Sequence, residues 1–210
     1  VSQDGTDEKV LERLMAFCGE ISRLPVPVTD YPGFLVNRAL TPYLMEAMVL
    51  MEEGVDKAVI DRAAIEFGMP MGPVALADQV GLDICLHVAE SLKSSLDKPM
   101  PEINDKLREK VKAGETGKKA GKGFYDWSDG TPRPQTDKKG PDDLTDRLIL
   151  PMLDGCVECL RKGVAQSADE VDGAMIFATG FAPFRGGPMH YARTRGTEGI
   201  RKRLEELAEH

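Results

Sequence analysis

Asn37, in the segment Tyr31-Pro-Gly-Phe-Leu-Val-Asn-Arg38, carries a carboxamide that can donate to an oxygen while remaining neutral. On residue type alone, an asparagine near a helix start more often satisfies backbone groups. Arg38 sits beside it among apolar residues, with Asp30, Glu46 and Asp61 as ion-pair candidates. Cys156 and Cys159 spell a C-x-x-C inside the apolar helical pattern Leu148, Met152, Cys156, Cys159, Leu160. With no second pair and no histidine nearby, they read as packed core side chains rather than a metal or redox site. The three histidines do not converge: His87 falls on an amphipathic helix, His190 follows a Gly-Gly-Pro turn, and His210 is terminal. Gly117–Gly123 lacks both the G-x-x-x-x-G-K-[ST] spacing and a preceding apolar strand. It reads as a flexible basic turn that could approach phosphates. No G-x-G-x-x-G opens a β-α unit, so no cofactor-binding or metal-ligating residue is expected within this sequence.

The elements that must position Asn37 are helical. A cap at Thr6 or Asp7 starts a first helix with Val10, Leu11, Leu14, Phe17 and Cys18 on one face. Leu24-Pro-Val-Pro-Val28 follows as an edge strand or connector, since two prolines exclude a central strand. From Pro32, apolar residues recur at helical spacing up to Met51, with a kink expected at Pro42 and an end at Gly54. A second helix spans about Asp56 to Phe67, and an apolar stretch then runs through Leu82, Ile84 and His87 to Leu92. A charged helix covers roughly Glu102 to Lys112, and Ser128–Asp143 reads as a linker.

Beyond the linker the pattern recurs. Asn37-Arg38 returns as Asp146-Arg147 at an offset of 109, and Pro42, Leu44, Gly54 and Val55 return on that frame as Pro151, Leu153, Gly163 and Val164. Asp61 finds Asp172 at an offset of 111, and Gly72-Pro73 finds Gly187-Pro188 at 115. This reads as a duplicated helical unit. Its second copy is expected to be silent, because an ionised Asp146 accepts hydrogen bonds but donates none.

Composition narrows the class. The formal net charge is −8 with dispersed cations, which argues against a nucleic-acid partner. No apolar run reaches the roughly 20 residues of a membrane span, and four scattered cysteines suit a reducing compartment. Val1–Lys9 is polar and acidic, unlike a secretory signal, and a soluble protein is expected.

The motifs resemble those of a known family. Tyr31–Arg38 with Pro42-Tyr-Leu and Glu46-Ala, then Phe67-Gly-Met-Pro-Met-Gly-Pro73 with Asp78 and Gly81-Leu-Asp83, resemble the helical domain of 3-hydroxyacyl-CoA dehydrogenases. Gly117-Lys-Lys-Ala-Gly-Lys-Gly-Phe-Tyr125 is similar to that domain's closing motif. Phe181-Ala-Pro-Phe-Arg-Gly-Gly-Pro-Met-His-Tyr-Ala-Arg193 looks like the degenerate second repeat of the large subunit of the fatty-acid oxidation complex. The resemblance implies an NAD-dependent L-3-hydroxyacyl-CoA dehydrogenase of fatty-acid β-oxidation, with Asn37 catalytic and no catalytic His–Glu pair in this sequence. It implies an all-α fold of two tandem helical bundles forming a pseudo-dimer, preceded by a remnant helix and strand of a Rossmann domain. On that reading residues 1–30 end an NAD-binding domain, 31–127 are the first repeat, 128–142 the linker and 143–210 the second repeat. NAD would be bound by the Rossmann domain lying outside this sequence, and no cofactor within it. Expected partners are an acyl-CoA substrate, that NAD-binding domain, an enoyl-CoA hydratase domain and a thiolase subunit. The expected location is the cytoplasm, or mitochondria or peroxisomes in a eukaryote. The competing reading is a stand-alone acyl-CoA-binding or protein-interaction module without turnover.

Overall fold

A computed structural model describes residues 1–3, 5–95, 102–132 and 136–208. His210 and residues 133–135 of the expected linker lie outside them. The described residues form helices and no named β-strand.

Helix α1 (Glu8–Glu20) starts where Asp7 accepts the Lys9 N–H at 2.8 Å. It buries none of its residues, leaving Val10, Leu14 and Phe17 exposed on its apolar face. The strand expected at Leu24–Val28 does not form. Pro25 and Pro27 supply no ladder donors, and the nearby pairing is one parallel bridge between Ser2 and Thr29. The segment is a connector, with Val26 and Val28 packed on the core and the Thr29 N–H bonded to the Val164 carbonyl at 3.1 Å.

Five helices follow: α2 (Val36–Glu52), α3 (Lys57–Phe67), α4 (Pro73–Val80), α5 (Leu82–Ser95) and α6 (Asp105–Lys112). The apolar stretch read through Leu82, Ile84 and His87 to Leu92 lies in α5, which Gly81, with φ of 110°, separates from α4. Asp61 determines where α4 starts. Its carboxylate accepts the Val74 and Ala75 N–H groups at 2.7 and 3.1 Å, satisfying donors the helix cannot pair internally. A Cβ on Gly72 would lie 2.2 Å from the Asp61 Cβ, so only glycine fits beneath it.

Past residue 140 come α7 (Leu144–Arg161), α8 (Ala168–Thr179), α9 (Pro188–Arg195) and α10 (Thr197–Ala208). Positions that share a frame in the sequence share local structure here. Pro42 and Pro151 lie inside α2 and α7. Asp172 accepts the Met189 and His190 N–H groups at 2.6 and 3.1 Å, as Asp61 does for α4. Gly196, with φ of 98°, separates α9 from α10 as Gly81 separates α4 from α5.

The most extensive helix contact is between α2 and α7. They cross closely at Gly155, where a Cβ would lie 3.0 Å from the Ala39 Cα and 3.1 Å from the Arg38 carbonyl oxygen. That carbonyl is the one Pro42, lacking an N–H, cannot engage. One core spans both sides of the crossing, with Tyr43, Leu50 and Ile60 packed among Leu148, Leu150, Met152 and Phe181. A smaller core of Met45, Met48, Ala77, Leu82, Ala89, Ile103 and Leu107 belongs to α2–α6. The expected linker is tied down in part. The Arg62 guanidinium bonds the Thr136 and Lys138 carbonyls, and Gly140 packs close to the side-chain ends of Val59 and Leu144.

Candidate functional site

Asn37 occupies the first turn of α2 with its side chain exposed. It does not cap the helix: Leu35 holds the cap position, and no side chain bonds the free N–H groups there. Below Asn37 lies an apolar cleft of about 110 Å³. Leu44, Met45 and Met48 of α2 form one wall, Val80 of α4 with Ile84 and Val88 of α5 another, and Leu107 of α6 contributes from a third side. Asn37 is thus a neutral donor over an apolar hollow. Cys85 lines the same cleft, but burial pushes its thiol up to about 12, so it stays protonated and inert.

The matching place in the second half is built differently. Asp146 stands for Asn37, and Arg195 and Arg203, at the offset of 115, stand for Val80 and Val88. Arg195 bonds both Asp146 oxygens, at 2.7 and 2.8 Å, and Arg203 Nε approaches one at 3.4 Å. The Arg195 guanidinium holds the Asp146 carboxyl below its usual range. Charge therefore fills the place where the first half keeps an apolar wall.

Arg38 does not pair with Asp30, Glu46 or Asp61. Its guanidinium meets Glu158 of α7, with the two side chains only 3% and 9% exposed. The nearer carboxylates are engaged elsewhere: Asp30 accepts from Gln3, Glu46 from Arg147, and Asp61 from the α4 backbone. A buried guanidinium demands a buried partner, and the fold brings one from the other half.

The Gly117–Gly123 segment is not a flexible turn. It wraps fully buried Asp78, which accepts the Phe124 and Tyr125 N–H groups at 2.8 Å each and the Trp127 Nε1–H at 3.0 Å. Cβ atoms on Gly117 and Gly123 would each lie 2.1 Å from Asp78 oxygens. The lysines of the loop face Trp127, Asp83 and Glu115. A phosphate would have to displace these partners, so the turn is read as a structural cradle. Asp78 stood in the quoted motif, but its role depends on residues 46–49 positions away.

His87 and His190 are exposed on separate helices. Cys156 and Cys159 are fully buried, unpaired thiols in α7, and the described residues hold no metal-ligand cluster.

Residues 33–127 match the family described as 3-hydroxyacyl-CoA dehydrogenase, C-terminal domain. Residues 33–127 carry that domain. The chain is 33% identical, over 99% of its length, to the fatty acid oxidation complex subunit alpha of Idiomarina loihiensis. It is 34% identical, over 95% of its length, to the protein of the same name from Shewanella sp. strain MR-4. The chain spans 31% and 30% of the length of these relatives. Among solved structures, 3-hydroxybutyryl-CoA dehydrogenase from Escherichia coli K12 superposes on the whole chain with a TM-score of 0.84 and 24% identity, covering 62% of that enzyme. That likeness speaks for the fold alone. (S)-3-hydroxybutyryl-CoA dehydrogenase from Ralstonia eutropha aligns with 59% of this chain and 44% of its own at a TM-score of 0.55 and 35% identity. The apolar cleft and Asn37 both fall within the matched residues.

Proposed function

We propose that this chain is the substrate-side and pairing region of an NAD-dependent L-3-hydroxyacyl-CoA dehydrogenase of fatty-acid oxidation, which converts 3-hydroxyacyl-CoA to 3-oxoacyl-CoA in the whole protein. The observation that carries this is Asn37, uncommitted to capping and set over an apolar cleft within the matched domain. Asn37 would donate its amide N–H to the oxygen on the substrate carbon being oxidised, and the cleft would take the adjoining acyl carbons. Neutrality matters, since a charged group there would perturb the pKa of a neighbouring base.

The residues present do not fit NAD. Among the described residues no strand leads through a glycine loop into a helix N-terminus, so NAD is assigned to a domain outside this sequence. The exposed apolar face of α1 supports reading residues 1–30 as the end of that domain. Residues 31–127 and 143–210 would be tandem repeats pairing through α2 and α7 as a pseudo-dimer, joined by the linker 128–142. The shared frame of Asp61 with Asp172 and of Gly81 with Gly196 supports this. The name of the relatives supports membership of a complex, for which we propose hydratase and thiolase activities as partners. No helix among the described residues is long and apolar enough to cross a membrane, and a cytoplasmic location is proposed.

The test is Asn37→Ala in the whole enzyme. Loss of one preorganised donor typically lowers kcat by about 10²–10³, and an unchanged melting temperature is expected. A kcat within about threefold of wild type, near 0.65 kcal/mol, overturns the assignment.

A further inference from the structure

We propose that Glu158 is a positioning residue for Asn37, so that the second half of the chain holds the first half's site in register. This rests on the assignment of Asn37 to the reacting centre.

Residues 31–35 launch α2 and aim its first turn, held locally by the Phe34 N–H to the Tyr31 carbonyl at 2.7 Å and the Arg38 N–H to the Gly33 carbonyl at 3.1 Å. Phe34 is a non-glycine residue with φ of 50°, a left-handed conformation that persists only where surroundings enforce it. Leu35 caps α2 without a side-chain bond. The enforcing groups come from two adjacent residues of α7. Glu158 accepts the Tyr31 hydroxyl at 2.9 Å and pairs with the Arg38 guanidinium, so it grips the launching loop on one side of Asn37 and the next residue on the other. Cys159 Sγ lies 3.6 Å from the Phe34 carbonyl, as a donor to the strained residue itself.

The counterpart of Glu158 on the frame of 109 is Val49, so helix pairing does not itself require a carboxylate at this position. Arg147, the counterpart of Arg38, instead reaches Glu46 and Glu53 of α2 at 2.6 and 2.5 Å. The buried grip is therefore built on the Asn37 side alone.

The test compares Glu158→Gln, Asn37→Ala and the double variant in the whole enzyme. Glutamine keeps the shape but removes the charge facing Arg38. A fall in kcat of between about 10- and 100-fold is expected, the scale of a small misplacement of a reacting group, with KM for the acyl-CoA little changed; the melting temperature is expected to fall as well, because the buried Arg38 charge loses its partner. The double variant is expected to be no slower than Asn37→Ala alone, because a positioning residue has nothing left to position. If Asn37→Ala is slow while Glu158→Gln is fast, or if the two losses multiply, the proposal is overturned and the role of Asn37 stands. If Asn37→Ala is itself fast, both readings fall. Should Glu158→Gln not fold, Tyr31→Phe removes the 2.9 Å bond to Glu158 and the hydroxyl's interaction with Arg38 while leaving the ion pair in place; a lowered kcat is expected, and a wild-type value overturns the proposal.

Discussion

Asn37 and Asp146 stand on one sequence frame with opposite settings, the first over an apolar cleft and the second locked to Arg195. An amide can donate to a substrate; a carboxylate already holding an arginine has no such capacity. Asp146→Ala is therefore expected to leave kcat within about threefold of wild type, and steady-state assays beside Asn37→Ala will check it. Asp78 works at the same scale but for stability. Asp78→Asn replaces a buried carboxylate that accepts three hydrogen bonds, and we expect a loss of about 3 kcal/mol by urea unfolding. An unchanged midpoint would show the loop to be held by something else. The motif made Asn37 legible in the sequence. The partner of Arg38 was not legible, since Glu158 lies 120 positions away and only proximity in the chain could be weighed.

Helices were easier to read than their breaks. The spacing of apolar residues, with Gly54 as a stop, gave α2 and α3 closely, because both patterns are local. The break at Gly81 was missed, since the residues on either side continue the apolar period and only backbone geometry interrupts them. Of the two readings of Leu24–Val28, edge strand or connector, the structure shows the connector, because extended φ/ψ preferences do not supply a partner edge. Asp61 adds a test at this scale. Burial pushes its carboxyl up to about 6, against the pull of the Val74 and Ala75 N–H groups. Its unfolded value is about 3.9, so the native state holds the extra proton between these values. This group's contribution to stability therefore falls as pH rises from about 4 to 6. Asp61→Asn is expected to flatten that part of the profile in denaturant titrations from pH 4 to 7, while lowering overall stability by about 1–3 kcal/mol through an unmatched N–H. A slope identical to wild type would locate the titration in another group.

Across the whole molecule, the crossing of α2 and α7 ties one half to the other, and Gly155 permits it. Gly155→Val adds branched atoms where even a Cβ lies 3.0 Å from Ala39, and a loss of about 3 kcal/mol is expected on thermal unfolding. A melting temperature equal to wild type would mean that the helices separate without cost. Because α2 and α7 belong to one chain, their encounter is intramolecular. A tether of this kind typically sets an effective local concentration on the order of millimolar. Two separate chains would lose such a contact on dilution; these helices cannot. Specific activity of the whole enzyme should stay level as it is diluted far below micromolar, and because the two faces lie in one chain they need not match, so one can hold a neutral amide and the other a charge.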